Sequence, residues 1–160
     1  MGHRPGTVPA MIERTFDIPT PDGAMNTFSV RPDDGGPLPV VLMLMDAPGV
    51  REGLREICRR ISQSGYFVLL PNLYYRTIRD FVCGPTRNHP DGEANLKRMF
   101  GLMETLSNAK VAADTGAVLD VVVTTVCTCA STSSGRATAS TDTPSWRSRC
   151  TSAAVRAASR

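Results

Sequence analysis

Asp46, Ala47, Pro48 and Gly49 close an apolar run, "PVVLMLMDAPGV" from 39 to 50, and they are the residues of this chain best suited to chemistry. An acid, a small residue, a proline and a glycine put a carboxylate beside a tight corner. The amide N–H groups of such a corner, unpaired by any sheet neighbour, can point at a developing negative charge. The plainer alternative is that Pro48 and Gly49 only turn the chain while Asp46 caps a helix or is solvated. Other reactive types are scattered. His3 lies near the N-terminus and His89 between Asn88 and Pro90, and both read as solvated loop residues. Cys58 falls in a helical pattern as small core filler, and Cys83 has no basic or histidine neighbour to activate it. Cys127 and Cys129 lack the two-residue gap of zinc sites. Ser133 has Gly135 two residues after it but Ser131 two before, and Asp142 is an isolated acid. No metal site, Walker loop or dinucleotide fingerprint is present in the sequence, so no cofactor is expected.

A corner of this kind works only at the end of a rigid element. Val40 to Met45 is continuously apolar, the pattern of a strand buried on both faces. From Arg51 to Ser64 the period lengthens. Leu54, Ile57, Cys58 and Ile61 recur at i, i+3, i+4 and i+7, Glu52 and the pair Arg59, Arg60 suit the helix dipole, and Gly65 is a stop. Tyr66 to Pro71 is a second buried strand. Strand, helix and strand within about 33 residues predict a βαβ unit with parallel strands. Ligands in such folds collect at the carboxyl ends of parallel strands, which is where 45–50 would lie.

Upstream, Ile12 to Ile18 and Asn26 to Arg31 predict an antiparallel hairpin around the turn chemistry of "PTPDGA". Downstream, Leu96, Met99, Phe100, Met103 and Leu106 mark an amphipathic helix. Asn108 is placed to cap another, with Val111, Thr115, Val118, Leu119 and Val122 on its buried side. "VVVTTVC" is the one candidate for a following strand. The predicted fold class is α/β: a mostly parallel sheet with an N-terminal antiparallel hairpin and flanking helices.

At 160 residues the chain suits one domain. The expected organisation is a flexible extension over 1–11, an α/β domain over 12–122 and a disordered tail over 123–160. The last forty residues hold sixteen Ser and Thr and no Leu, Ile or Phe, so they cannot build a core. The abrupt change in composition resembles sequence read out of frame. The tail also carries five Arg against one Asp, whereas the first 120 residues are near neutral, so the basic charge belongs to the tail and no nucleic-acid partner is expected. No run approaches the roughly 18 apolar residues of a membrane span. An odd cysteine count and an opening stretch without the apolar segment of a secretory leader predict a cytoplasmic protein with reduced thiols and no membrane partner.

The stretch "PVVLMLMDAPGVREGLREICRRISQSGYFVLLPNLYYR" resembles the dienelactone hydrolase family, the carboxymethylenebutenolidase-like α/β hydrolases. There a buried strand ends in an acid and a Gly-containing loop, followed by a helix and then a pattern met here by Gly65, Tyr66, Val68, Leu69, Pro71, Leu73, Tyr74 and Arg76. "IPTPDGAMNTF" is similar to the family's N-terminal hairpin and "MFGLMETLSNAKVAADTGAVLD" to its later helices. The resemblance covers about Ile12 to Asp120 and implies a partial α/β-hydrolase fold and hydrolysis of an ester or lactone of the dienelactone type. It implies that Asp46 is the acid that interacts with the nucleophile and that the Ala47 backbone N–H is an oxyanion-hole donor. Met45 stands where the family often has His, and Asp46 where Glu is commoner.

The family's mechanism implies a Cys nucleophile in a Gly-x-Cys-x-Gly elbow, with Asp and His further on. At the elbow's position this chain reads "VCTCASTSSGR", without the flanking glycines, and neither histidine matches the family's. Nucleophile, acid and histidine are therefore not assignable. Two classes of function remain: a hydrolase of a small-molecule ester or lactone, and a non-catalytic, truncated or frameshifted product. The residues favour the second for this chain, inactive as written. A third reading is an interaction module. A sheet that stops after its third helix leaves a face and an edge uncovered, so self-association through that edge is expected.

Overall fold

A computed structural model of the chain describes residues 10–33 and 38–131, with side chains through Val123. β1 (Met11–Thr20) and β2 (Gly23–Pro32) form the antiparallel hairpin, with Thr20 opposite Gly23 across a two-residue turn. The Asp22 N–H donates to Thr20 Oγ1 at 3.2 Å, and Gly23 takes φ +132°, a conformation that favours glycine. Both strands run longer than the apolar alternation alone indicates, because paired backbone extends the ladder into polar residues.

β3 (Val40–Leu42), α1 (Glu52–Gln63) and β4 (Phe67–Pro71) are the expected βαβ unit, and β3 pairs parallel with β4. The sheet order is β1-β2-β4-β3. β2 pairs antiparallel with β4, so the sheet is mixed, one parallel pair against two antiparallel, rather than mostly parallel. The hairpin supplies half of its strands. β3 is also shorter than the apolar run that announced it. It lies at the edge with β4 as its sole described neighbour, Leu44 is exposed, and its residues are half-buried rather than enclosed on both faces.

Strand parity sorts the core into two halves. Phe28, Val30, Val68 and Leu70 face α1 and pack on Leu54 and Cys58. Ile18, Met25 and Leu69 face the other way and pack on Val118 of α3 (Asn108–Ser131), flanked by Ala117, Val121 and Val122. Both faces therefore carry a helix, which corrects the expectation of an uncovered face. Each fully buried aliphatic side chain in these layers stabilises the fold by roughly 2 kcal/mol.

The helices differ from their predicted faces in detail. On α1 the buried line is Leu54, Cys58 and Ser62, at spacing four, and Ile57 is exposed; the Ser62 hydroxyl meets the sheet by donating to the Tyr66 carbonyl at 2.9 Å. In α2 (Gly92–Glu104) the buried residues are Gly92 and Leu102, whereas Phe100 and Met103 face outward. Ser107, not Asn108, caps α3, its hydroxyl accepting from the Lys110 N–H at 3.3 Å. "VVVTTVC" lies in α3 instead of forming a strand. The valines at 118, 121 and 122 meet the sheet at helical spacing, and this packing overrides the strand preference of β-branched residues. The helix passes the predicted domain end at 122, and the remainder of the expected tail, 132–160, lies outside the described residues together with Ser133, Asp142 and His3. Among the described residues no helix is long and apolar enough to cross a membrane.

Candidate active site

β3's last bond to its neighbour runs from the Met43 N–H to the Leu69 carbonyl at 2.8 Å, and the chain then leaves the sheet. The corner that follows is clamped. The Gly49 N–H donates to the Asp46 carbonyl at 3.0 Å, the Cys83 N–H donates to the Pro48 carbonyl at 2.9 Å, and Gly49 bridges antiparallel to Val82. Gly49 has φ +91°, and a Cβ built there would sit 2.2 Å from the Phe81 carbonyl oxygen. Only glycine satisfies both constraints, which explains the residue that the apolar run stops on.

Ala47 sits at the apex. Its carbonyl accepts from the Tyr74 hydroxyl at 3.0 Å, and Tyr74 is itself buried, edge-on to Phe81 with ring centroids 5.8 Å apart, its N–H donating to Asn72 Oδ1. The Ala47 N–H has no acceptor among the described residues. Asp46 Oδ2 accepts from Arg51 Nη2 at 2.6 Å, while Oδ1 is shielded from solvent and bonds to nothing. The Asp46–Arg51 pair is about 40% exposed on both sides, so it contributes only about 0–1 kcal/mol. A groove of about 310 Å³ opens over these groups. Met45, Asp46, Ala47 and Tyr74 form one wall, and Met103, Leu106 and Val111, with Ser107 and Asn108 of the α2–α3 turn region, form the other. An apolar cleft with few converging polar groups is the usual form of a small-molecule site.

Asp46 and Ala47 are thus the two sequence-predicted residues brought together in one groove. Cys83 is half-buried, its thiol 3.7 Å from the Asn95 carbonyl, and it does not line the groove. Cys58 is buried in the α1 core, where burial pushes its thiol pKa up to about 11. His89 is in the loop before α2, its Nδ1 accepting from the Asp91 N–H at 3.2 Å. Cys127 and Cys129 fall on α3 beyond the described side chains. Among the described residues no three His, Cys, Asp or Glu side chains cluster as a metal site would require.

Arg76, the last residue of the family-like pattern, is tied into the fold rather than left in solvent. Its guanidinium donates twice to the buried Asp114 carboxylate, at 2.8 Å each, and also pairs with Asp22 at 2.7 Å. The role of Tyr74 is the main feature that sequence reasoning missed. A tyrosine three residues past a buried strand that ends at a proline is the available signal, and it does not say which carbonyl the hydroxyl reaches.

A hairpin leading into a βαβ unit, with helices on both faces and a loop groove at the carboxyl end of a parallel strand, is the N-terminal part of an α/β-hydrolase fold. A sequence model of the dienelactone hydrolase family matches residues 25–136, and the chain belongs to that family. It is 31% identical to "Putative carboxymethylenebutenolidase" of Escherichia coli over 107 residues, which is 66% of this chain and 36% of the relative. Over 66 residues it is 41% identical to the protein of the same description from Methylorubrum extorquens, covering 41% of this chain and 23% of that one. In structure it is similar to the crystal structure of "Putative Dienelactone Hydrolase" from Klebsiella pneumoniae, with a TM-score of 0.56 and 30% identity, over 71% of this chain and 44% of the other. The chain therefore spans less than half of each of these relatives.

Proposed function

We propose that the Asp46–Gly49 corner is the oxyanion side of an ester- or lactone-hydrolysing site of the dienelactone hydrolase type. The carrying observation is the Ala47 peptide: its carbonyl is anchored by Tyr74 while its N–H has no acceptor among the described residues, beside a largely apolar groove. A fixed donor of this kind stabilises an oxyanion because it needs no reorganisation when charge develops. Asp46 supplies an acceptor oxygen next to it, suited to a nucleophile's proton or to a group that the nucleophile approaches. Family membership and the relatives' descriptions support the substrate class, a small ester or lactone.

The catalytic nucleophile and histidine are not supplied by the described residues that line this groove, and the sequence carries no Gly-x-Cys-x-Gly. We therefore read the 160-residue chain as binding such a substrate without turning it over. Titrating the labelled protein with a simple lactone, γ-butyrolactone, while following amide resonances tests the first part; the expected result is a saturable shift of the Ala47 N–H, and no shift there sinks the reading. Hydrolysis of p-nitrophenyl acetate tests the second. Turnover above background that is lost in Cys83→Ser or Ser133→Ala would overturn the inactive reading.

Self-association is a second reading, favoured by one observation: β3 is an edge strand whose outer side has no described partner. Sedimentation across a concentration series tests it, and a concentration-independent monomer rejects it.

A further inference from the structure

Four arginines lie on α1 or at its N-cap, and three have a carboxylate within ion-pair distance: Arg51 with Asp46 at 2.6 Å, Arg59 with Glu13 at 2.6 Å and Arg60 with Glu56 at 3.5 Å. Arg55 has none among the described residues. Its guanidinium carbon sits 5.2 Å from the Phe28 ring centroid, and its Nε is shielded from solvent without donating to anything. A shielded N–H without an acceptor is costly, and native proteins rarely leave one unless a ligand or water completes it. Arg55 also borders a cavity of about 180 Å³ that shares no lining residue with the Asp46 groove.

We propose that this cavity is a binding site for a small monocarboxylate, held by Arg55. The guanidinium edge offers parallel N–H donors that match the two oxygens of a carboxylate. Thr15, also on the wall, has a hydroxyl with no partner among the described residues and supplies a further donor. Asn26 and Asn72 line the cavity too, but their amides are consumed by each other and by the Ile78 and Arg79 carbonyls.

Charge decides between a carboxylate and a phosphate. Arg79 at the cavity is already paired with Asp17 at 2.6 Å, and Asp80 on the same wall has no ion-pair partner within 4 Å among the described residues. Asp80 on the same wall and the nearby Glu13 carboxylate, whose field reaches Arg55, leave no excess positive charge to hold a dianion. A monoanion places one charge on Arg55 and an apolar stub against Phe28, Val50 and Phe81. The volume lies below the roughly 300 Å³ at which drug-sized pockets begin, so the acid is short-chained.

The test is a titration of the nitrogen-15-labelled 160-residue chain with sodium propionate, following the Arg55 Nε–H and the Val82 amide. The expected result is a saturable shift with a Kd on the order of 1 mM, which an equal ionic strength of sodium chloride does not reproduce. Asp80→Asn removes the repelling charge and is expected to tighten binding about threefold, whereas Arg55→Gln is expected to weaken it about tenfold or more. A shift reproduced by chloride, tighter binding of inorganic phosphate than of propionate, or weaker binding by Asp80→Asn would each overturn the proposal. Because the Asp80 variant is expected to gain affinity, loss of folding in the Arg55 variant does not shelter the idea. The outcome is independent of the Ala47 reading, which uses a separate groove.

Discussion

The Tyr74 hydroxyl donates to the Ala47 carbonyl at 3.0 Å, so a side chain just past β4 fixes the peptide at the apex of the corner after β3. Tyr74→Phe removes that bond and leaves a polar carbonyl in a half-buried place. The expected loss is about 1 kcal/mol, or a fall in Tm of about 5 °C, with faster hydrogen exchange at the Ala47 amide. The phenol's pKa is raised by burial first, then by the nearby Asp46 and Cys83. A raised folded-state value means that the contribution is fully present below the unfolded tyrosine pKa of about 10 and is lost as pH rises past it. Wild type should therefore lose stability on the alkaline side more steeply than Tyr74→Phe, which chemical denaturation between neutral pH and pH 11 would measure. Parallel curves for the two proteins would refute the coupling.

Two glycines of the βαβ unit separate backbone strain from crowding. Gly49 and Gly65 have nearly equal φ, +91° and +92°, yet a Cβ at Gly65 meets nothing within 4 Å while one at Gly49 would sit 2.2 Å from the Phe81 oxygen. Gly65→Ala should cost about 1–2 kcal/mol, the left-handed penalty alone. Gly49→Ala should cost at least about 2 kcal/mol more, because backbone must move, and should displace the Phe81–Cys83 segment. Urea unfolding of both variants decides it; equal costs would mean that the Phe81–Cys83 segment yields freely.

What the sequence disclosed follows from the range of the interactions involved. The hairpin and the βαβ unit were legible because Pro21, Asp22, Gly49 and Gly65 act locally and because apolar period alone separates α1 from its strands. Edge position was not legible: Val40–Met45 reads the same whether one neighbour flanks it or two, and only the assembled sheet makes β3 a short edge. The same blindness turned "VVVTTVC" into an expected strand, since its helical state depends on docking at Val118, Val121 and Val122. For the site, local chemistry marked the Asp46–Gly49 corner, and the resemblance to the dienelactone hydrolase family implied Asp46 and Ala47 within it. The partners that fix them, Tyr74 at 27 residues' distance and the Phe81–Cys83 backbone, are set by tertiary contact and leave no periodic trace.

Arg76 and Asp114 are another such pair, 38 residues apart. Asp114 is 1% exposed and accepts both Arg76 Nη atoms and the Tyr75 hydroxyl, fastening α3 to the segment after β4. Removing one partner of a buried pair leaves the other charge uncompensated, so Asp114→Ala should cost about 3–5 kcal/mol. Arg76 keeps Asp22 as a fallback, which places the loss at the lower end. A double-mutant cycle with Arg76→Ala should give a coupling of at least about 1 kcal/mol. Additive losses would show that Asp114 is held by packing alone.

Cys58 and Cys83 make the last contrast, because the same thiol chemistry sits in two environments. Cys58 is wholly buried under α1, and desolvation outweighs the favourable backbone bond and the Arg59 charge, raising its pKa to about 11. Thiolate is the reactive form, so both access and ionisation protect it. Cys83 is half-buried in a loop. With iodoacetamide at pH 8, peptide mass spectrometry should show Cys83 labelled at least about tenfold faster than Cys58 in the folded protein, and the difference should vanish in urea. The raised thiol pKa also stabilises the fold in a defined window: the contribution is complete below the unfolded thiol value of about 9 and disappears as pH rises through 11. Cys58→Ala should therefore lower stability at neutral pH through the cavity it leaves and flatten the alkaline decline between pH 9 and pH 11. If Cys58 labels as fast as Cys83 without denaturant, α1 opens from the sheet far more readily than its packing on Phe28, Val68 and Leu70 allows.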